Sequence, residues 1–236
     1  MNKLRLNNTR AKTAEKLLIV SGVFTLISIF SNSLEYILLN NVLKGGTVTM
    51  EQANMNDMRQ LIIGVLQTVV YIFSIITFIQ WFRRAYYNQE VKFSQMESTN
   101  GWTSGAWFIP IYSLYRPFQL MKEIYRNAEN FIVKHALGEE KPNRFTTISW
   151  WWALWIIANI TSNVVTRMSI RNDDLSTLAN LSMASVIVDI IYIPLTILAI
   201  KTIRNYNEME LLILSSEEDG IRVHSSNDTD LLDANI

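Results

Sequence analysis

Gly101 to Leu137 reads GWTSGAWFIPIYSLYRPFQLMKEIYRNAENFIVKHAL and lies between two pairs of long apolar segments. Its apolar half, Gly105 to Tyr115, has about half of the roughly 20 residues a helix needs to cross a hydrocarbon core. Pro110 and Pro117 also interrupt helix formation there. The stretch is therefore read as interfacial or re-entrant, not as a crossing. From Phe118 onward, Phe118, Met121, Tyr125, Ala128, Ile132 and His135 recur at three- and four-residue spacing, while Lys122, Glu123, Arg126, Asn127, Glu129 and Lys134 fill the other side. This pattern predicts an amphipathic helix that either lies in the headgroup plane or packs beneath a helix bundle as a cap.

Outward from this loop the chain predicts an all-α integral membrane protein with four transmembrane helices, at about 17–39, 61–82, 147–168 and 182–203. Residues 1–16 form a basic tail, 17–204 the membrane domain with the interfacial loop 101–137, and 205–236 an acidic, partly disordered tail. The first run, Leu17 to Leu39, is longer than a typical signal-peptide core and no small-residue cleavage site follows it. Its one charge, Glu35, costs roughly 3 kcal/mol at mid-membrane, whereas its apolar residues together contribute roughly −4 to −8 kcal/mol. Insertion is therefore favoured. Asn40 to Gln60, with Gly45-Gly46, reads as a polar loop. Trp81 followed by Arg83-Arg84, and Trp150 to Trp152 with Trp155, mark membrane interfaces; Pro194 is a kink site in the fourth span.

Basic residues give the orientation. With both termini and the middle loop in the cytoplasm, seventeen Lys and Arg lie inside and four, Lys44, Arg59, Arg167 and Arg171, lie outside. The expected location is the bacterial cytoplasmic (inner) membrane. At 49% hydrophobic residues and no net charge, the 236-residue chain carries no basic arm suited to nucleic acid. The absence of Cys removes disulfides, thiolate catalysis and cysteine zinc sites, and with two His a His-based metal site is poorly supplied. No metal and no cofactor is expected.

FIQWFRRAYYN (Phe78 to Asn88), the start of the central stretch through Arg126, and WWALW (Trp151 to Trp155) follow one another in order. The set resembles a bacterial membrane family catalogued as domain of unknown function 4328, over roughly Leu61 to Arg204. The matching positions are Trp81, Arg84, Tyr86 and Asn88, then Trp107 to Pro110, then Arg116 to Gln119. The resemblance implies an integral membrane protein and carries over no catalytic residue.

Within the spans, polar residues step by three or four: Ser21, Thr25, Ser28, Asn32 and Glu35 in the first; Gly64, Gln67, Tyr71 and Ser74 in the second; Asn159, Asn163 and Arg167 in the third; Ser182, Ser185, Asp189, Tyr192 and Thr196 in the fourth. Unsatisfied polar groups in hydrocarbon are costly, so these faces are expected to meet inside one bundle, either as interhelical bonds or as a site. The charged members, Glu35, Arg167 and Asp189, can converge towards the outer leaflet, with Arg167 the expected partner of Asp189 and Asn32 and Asn163 beside them. The favoured reading of these charges is structural, a register-fixing ion pair or an Arg167 that reaches the interface.

Catalytic motifs are missing: no G-x-S-x-G, H-E-x-x-H, Walker A or Rossmann pattern occurs. A Ser104–His135 dyad is weakened by the place of His135 on the apolar side of its helix. The spans show no repeat of the kind transporters carry. The expected role is a non-enzymatic scaffold that presents the loop, through Trp102, Trp107, Pro110, Arg116, Pro117, Lys122 and Arg126, together with the acidic tail. The alternative is a small oligomeric ion or proton channel using the Glu, Arg and Asp cluster. The lipid bilayer is the expected environment, no nucleic acid is expected, and a cytoplasmic protein partner and a homo-oligomer stay open.

Overall fold

In the computed structural model, residues 4–93, 96–138, 141, 143–169 and 174–233 are described, and among them the chain is helical and without strands. Helices α1 (Asn8–Leu43) and α2 (Met50–Lys92) are followed by the short α3 (Asn100–Gly105) and a 3₁₀ turn (Tyr112–Leu114). Then come α4 (Arg116–Lys134), α5 (Asn143–Ser169) and α6 (Leu175–Asp233). Three helices, α1, α2 and α6, are long and apolar enough to cross a membrane. The protein is thus an all-α, multi-pass membrane protein. The expected third span lies within α5, which is not among the three. Its Asn159, Thr161, Ser162, Asn163, Thr166 and Arg167 lower the mean hydropathy of that segment.

The helices extend past the expected spans. Most of the polar stretch Asn40–Gln60 is helical, with only 44–49 between α1 and α2. Gly45, at φ +88°, ends α1 in a Schellman motif, with Gly45 N donating to the Val42 carbonyl and Gly46 N to that of Asn41, both at 3.0 Å. Thr49 and Gln52 then open α2 with a reciprocal capping box at 3.2 and 3.0 Å. At 43 residues and about 1.5 Å per residue, α2 is about 65 Å long, roughly twice a hydrocarbon core.

The chain divides into two compact units. The first comprises Met1–Ala11, Gln80–Thr146 and Ile203–Ile236; the second, Lys12–Ile79 and Thr147–Thr202. The second unit holds the apolar lengths of α1, α2, α5 and α6, and its outward faces carry exposed Val23, Phe30, Ile37, Leu61, Phe73 and Ile190. Such exposure suits lipid contact.

The first unit has a conventional core. Trp81, Phe82, Ala85 and Tyr86 of α2 are fully buried, as are Leu120, Met121, Ile124, Tyr125 and Ala128 of α4 and Tyr206 and Met209 of α6. Tyr206 packs edge-on against Trp81 at 6.0 Å between ring centres and lies 5.6 Å from Tyr125. The apolar face predicted for α4 is therefore filled by protein, although Phe118 is only half-buried and His135 is exposed. α6 runs on past Asn205 to Asp233. Ile203, Tyr206, Met209, Glu210 and Ile213 make the buried stripe that holds its first part to the unit.

Candidate functional site

In the second unit, polar faces from four helices meet. Asp189 of α6 is 7% exposed and accepts a bond from Asn32 Nδ2 of α1 at 3.2 Å. Ser28 of α1 and Gln67 of α2 also face this carboxylate in the same cleft. A cleft of about 280 Å³ opens beside it, lined by Ser28, Asn32, Gln60, Gly64, Gln67, Ser162, Thr166, Ser185 and Asp189. Further along α1, Glu35 accepts bonds from Gln60 Nε2 at 2.9 Å, Ser182 Oγ at 2.8 Å and Asn56 Nδ2 at 3.3 Å. Arg59 donates to Ser31 Oγ at 3.1 Å and to Asn56 Oδ1 at 2.6 Å.

The expected cluster is thereby divided. Asn32 and Asp189 come together, and Glu35 has its own partners one turn away on α1. Asn163 and Arg167 are exposed, and Asn163 Nδ2 donates to the Asn159 carbonyl of its own helix at 2.8 Å. No ion pair joins Arg167 to Asp189 among the described residues. The sequence stripe on α5 named the wrong face: Ser162, Val165 and Thr166 reach the cleft instead. Side-chain type could not choose between these faces, because both carry polar residues at helical spacing. Gln60, Asn56 and Arg59 were missed because they were assigned to a loop.

The first unit builds a second polar cluster. The side-chain amide of Asn88 pairs with the backbone of Arg5, accepting from its N–H at 3.0 Å and donating to its carbonyl at 2.8 Å. The same amide donates to Glu210 Oε1 at 2.6 Å, and Asn7 Nδ2 donates to Glu210 Oε2 at 3.1 Å. Burial pushes the Glu210 carboxyl up to about 7, against the bonds from Asn88 and Asn7 and the nearby Arg84 charge, which pull it down. Tyr86 donates its hydroxyl to Glu123 at 2.8 Å and accepts from the Ser98 N–H at 3.0 Å. The residues Trp81, Tyr86 and Asn88 thus fasten the end of α2 to the rest of this unit.

A sequence profile described as Domain of unknown function (DUF4328) matches residues 44–208. The chain belongs to the DUF4328 family. No curated protein and no solved structure matches it. The DUF4328 region includes Gln67, Ser185 and Asp189 of the cleft, while Asn32, Glu35 and Glu210 lie outside it.

The loop residues separate as well. Phe108 and Ile111 are 71% and 75% exposed, and Trp102, Ile109, Tyr112, Leu114 and Tyr115 are exposed beside them. Trp107 is half-buried against Phe82, at 6.2 Å between ring centres, and Pro110 is exposed. Arg116 pairs with Glu97 at 3.1 Å, and Pro117 is buried in the first turn of α4. Lys122 lies over the Phe118 ring at 5.3 Å, and Arg126 is exposed. Ile111 has φ +68°, a strained conformation for a β-branched residue. His135 stacks on Phe131 at 4.0 Å and bonds the Phe131 carbonyl through Nδ1 at 2.9 Å, with no bond to Ser104 among the described residues.

Proposed function

We propose that the protein is a non-enzymatic subunit of the bacterial cytoplasmic membrane that engages a partner through the loop Phe108–Tyr115. The observation that carries this reading is the exposure of a run of large apolar side chains in a segment too short to cross a bilayer. Four crossings and cytoplasmic termini accompany it. In support, α5 presents Ile157, Ile160, Val164 and Met168 outward at three- and four-residue spacing, as a lipid-facing helix does, and the basic residues favour the loop side as inside. Isolation of tagged protein from its native membrane, compared with a Phe108→Ser, Ile111→Ser, Leu114→Ser variant, tests this. A stoichiometric partner lost in the variant is expected; no enriched partner with the wild-type chain overturns it. Tail truncations used beside it must retain the chain to Glu217, because Met209, Glu210 and Ile213 are core residues of the first unit.

A second reading, a small oligomeric channel or transporter, is favoured by the polar cleft beside Asp189. Its test is loss of ion flux from liposomes in an Asp189→Asn protein.

A further inference from the structure

We infer that the cleft of the second unit binds a small monovalent cation, with Asp189 as its anionic ligand and the side-chain oxygens of Ser28, Asn32 and Gln67 completing the site. Burial and charge lead there first. Asp189 is nearly fully buried, and among the described residues no Lys, Arg or His lines the cleft. Asp189 accepts a bond from the Asn32 amide and faces the Gln67 amide and the Ser28 hydroxyl, groups that orient a carboxylate without neutralising it. A carboxylate buried inside a membrane helix bundle calls for a counter-charge or a proton. The neighbouring charged side chains are hydrogen-bonded elsewhere, Glu35 of α1 to Gln60, Asn56 and Ser182 and Arg59 of α2 to Ser31 and Asn56, and among the described residues no cationic side chain bonds Asp189. From α5 the cleft receives Ser162 and Thr166, and from α6 Ser185, none of which ionises in this range.

Donor chemistry then selects the ligand. Every polar side chain on the cleft offers oxygen, and oxygen sites favour hard cations over the softer metals that thiolate and imidazole bind. One carboxylate balances one positive charge, whereas calcium sites gather several carboxylates. Asn32 and Gln67 each bring an amide oxygen to the cation by a half-turn of the side-chain amide. The cleft, at about 280 Å³, has room for a partly hydrated ion, since a water molecule occupies about 30 Å³. Because the ligand must be deprotonated, sodium and protons compete for Asp189.

This inference takes its site from the channel reading, but binding does not require transport, and the test separates them. Full-length protein in detergent is unfolded by heat at pH 8 and constant ionic strength, with sodium chloride replacing choline chloride. The midpoint should rise with sodium, logarithmically once its concentration exceeds the dissociation constant. Below the pH at which Asp189 titrates, the apparent affinity should weaken about tenfold per pH unit. Asp189→Asn should abolish the sodium response, and Gln67→Ala should weaken it about tenfold or more. Equal midpoints in sodium and choline, or an undiminished response in Asp189→Asn, overturn the site. Should that variant fail to fold, Asn32→Ala and Gln67→Ala decide: unchanged sodium affinity in both overturns it. Binding without sodium flux in liposomes upholds the site and removes the transport reading alone.

Discussion

Glu210 shows how one buried carboxyl sets a pH dependence. Its carboxyl, raised from 4.5 to about 7 and 4% exposed, binds its proton more tightly in the folded chain than in the unfolded one. Its contribution is therefore full below about pH 4.5 and is lost as pH rises through about 7, a change of order 3 kcal/mol. Thermal unfolding at pH 5.5 and 8 should show the wild-type chain weakening at the higher pH and Glu210→Gln weakening much less. The amide of that variant still offers an oxygen to Asn88 and can donate to Asn7 Oδ1, which has no bonding partner among the described residues. Asn88→Ala removes both bonds to Arg5 and one to Glu210, and should cost roughly 2–3 kcal/mol. Limited proteolysis should then cleave the segment around Arg5 far faster. Tyr86 and Asn88 were legible as family positions, but that Asn88 holds backbone eighty-three residues earlier was not. Nothing in local sequence specifies a partner so distant.

At the scale of the helix, the ends decide more than the interiors. α4 closes in a Schellman motif, with Leu137 N donating to the Ile132 carbonyl at 2.9 Å and Ala136 N to that of Val133 at 3.2 Å. Ala136 occupies the left-handed position, φ +54°, where glycine is favoured. Ala136→Gly should therefore raise stability by up to about 1 kcal/mol, read as a higher unfolding midpoint. Ile111→Gly should relieve a similar strain while weakening partner capture, so the two measurements move in opposite directions. The apolar interiors of α1, α2 and α6 were legible because hydropathy over some 20 residues is a strong signal. The true ends of α1 and α2 were written in Gly45-Gly46 and in Thr49 with Gln52, signals that polar composition obscured. The continuation of α6 was hidden in the same way, since an acidic composition masked a buried stripe carried by a handful of residues.

The whole molecule offers its topology for direct measurement, because the chain has no cysteine of its own. Single substitutions Lys44→Cys, Gln119→Cys and Ser176→Cys can be treated with a membrane-impermeant maleimide on intact cells. Four crossings predict that the first and third react from outside and the second only after permeabilisation. If α5 does not cross, Ser176→Cys will instead behave like Gln119→Cys. That three long helices are apolar enough to cross a membrane was readable from hydropathy, a property of long segments. Which faces meet depends on contacts between helices far apart in sequence, and there the α5 stripe misled. The clasp around Arg5 also has a consequence in time. Asn7 and Glu210 are 203 positions apart, and synthesis at about 5–20 residues per second delivers the second about 10–40 seconds after the first. The opening residues must therefore wait unclasped while the hydrophobic helices are delivered to the bilayer. A bulky fusion at the front of the chain would accordingly be felt at the last step of maturation, long after insertion is complete.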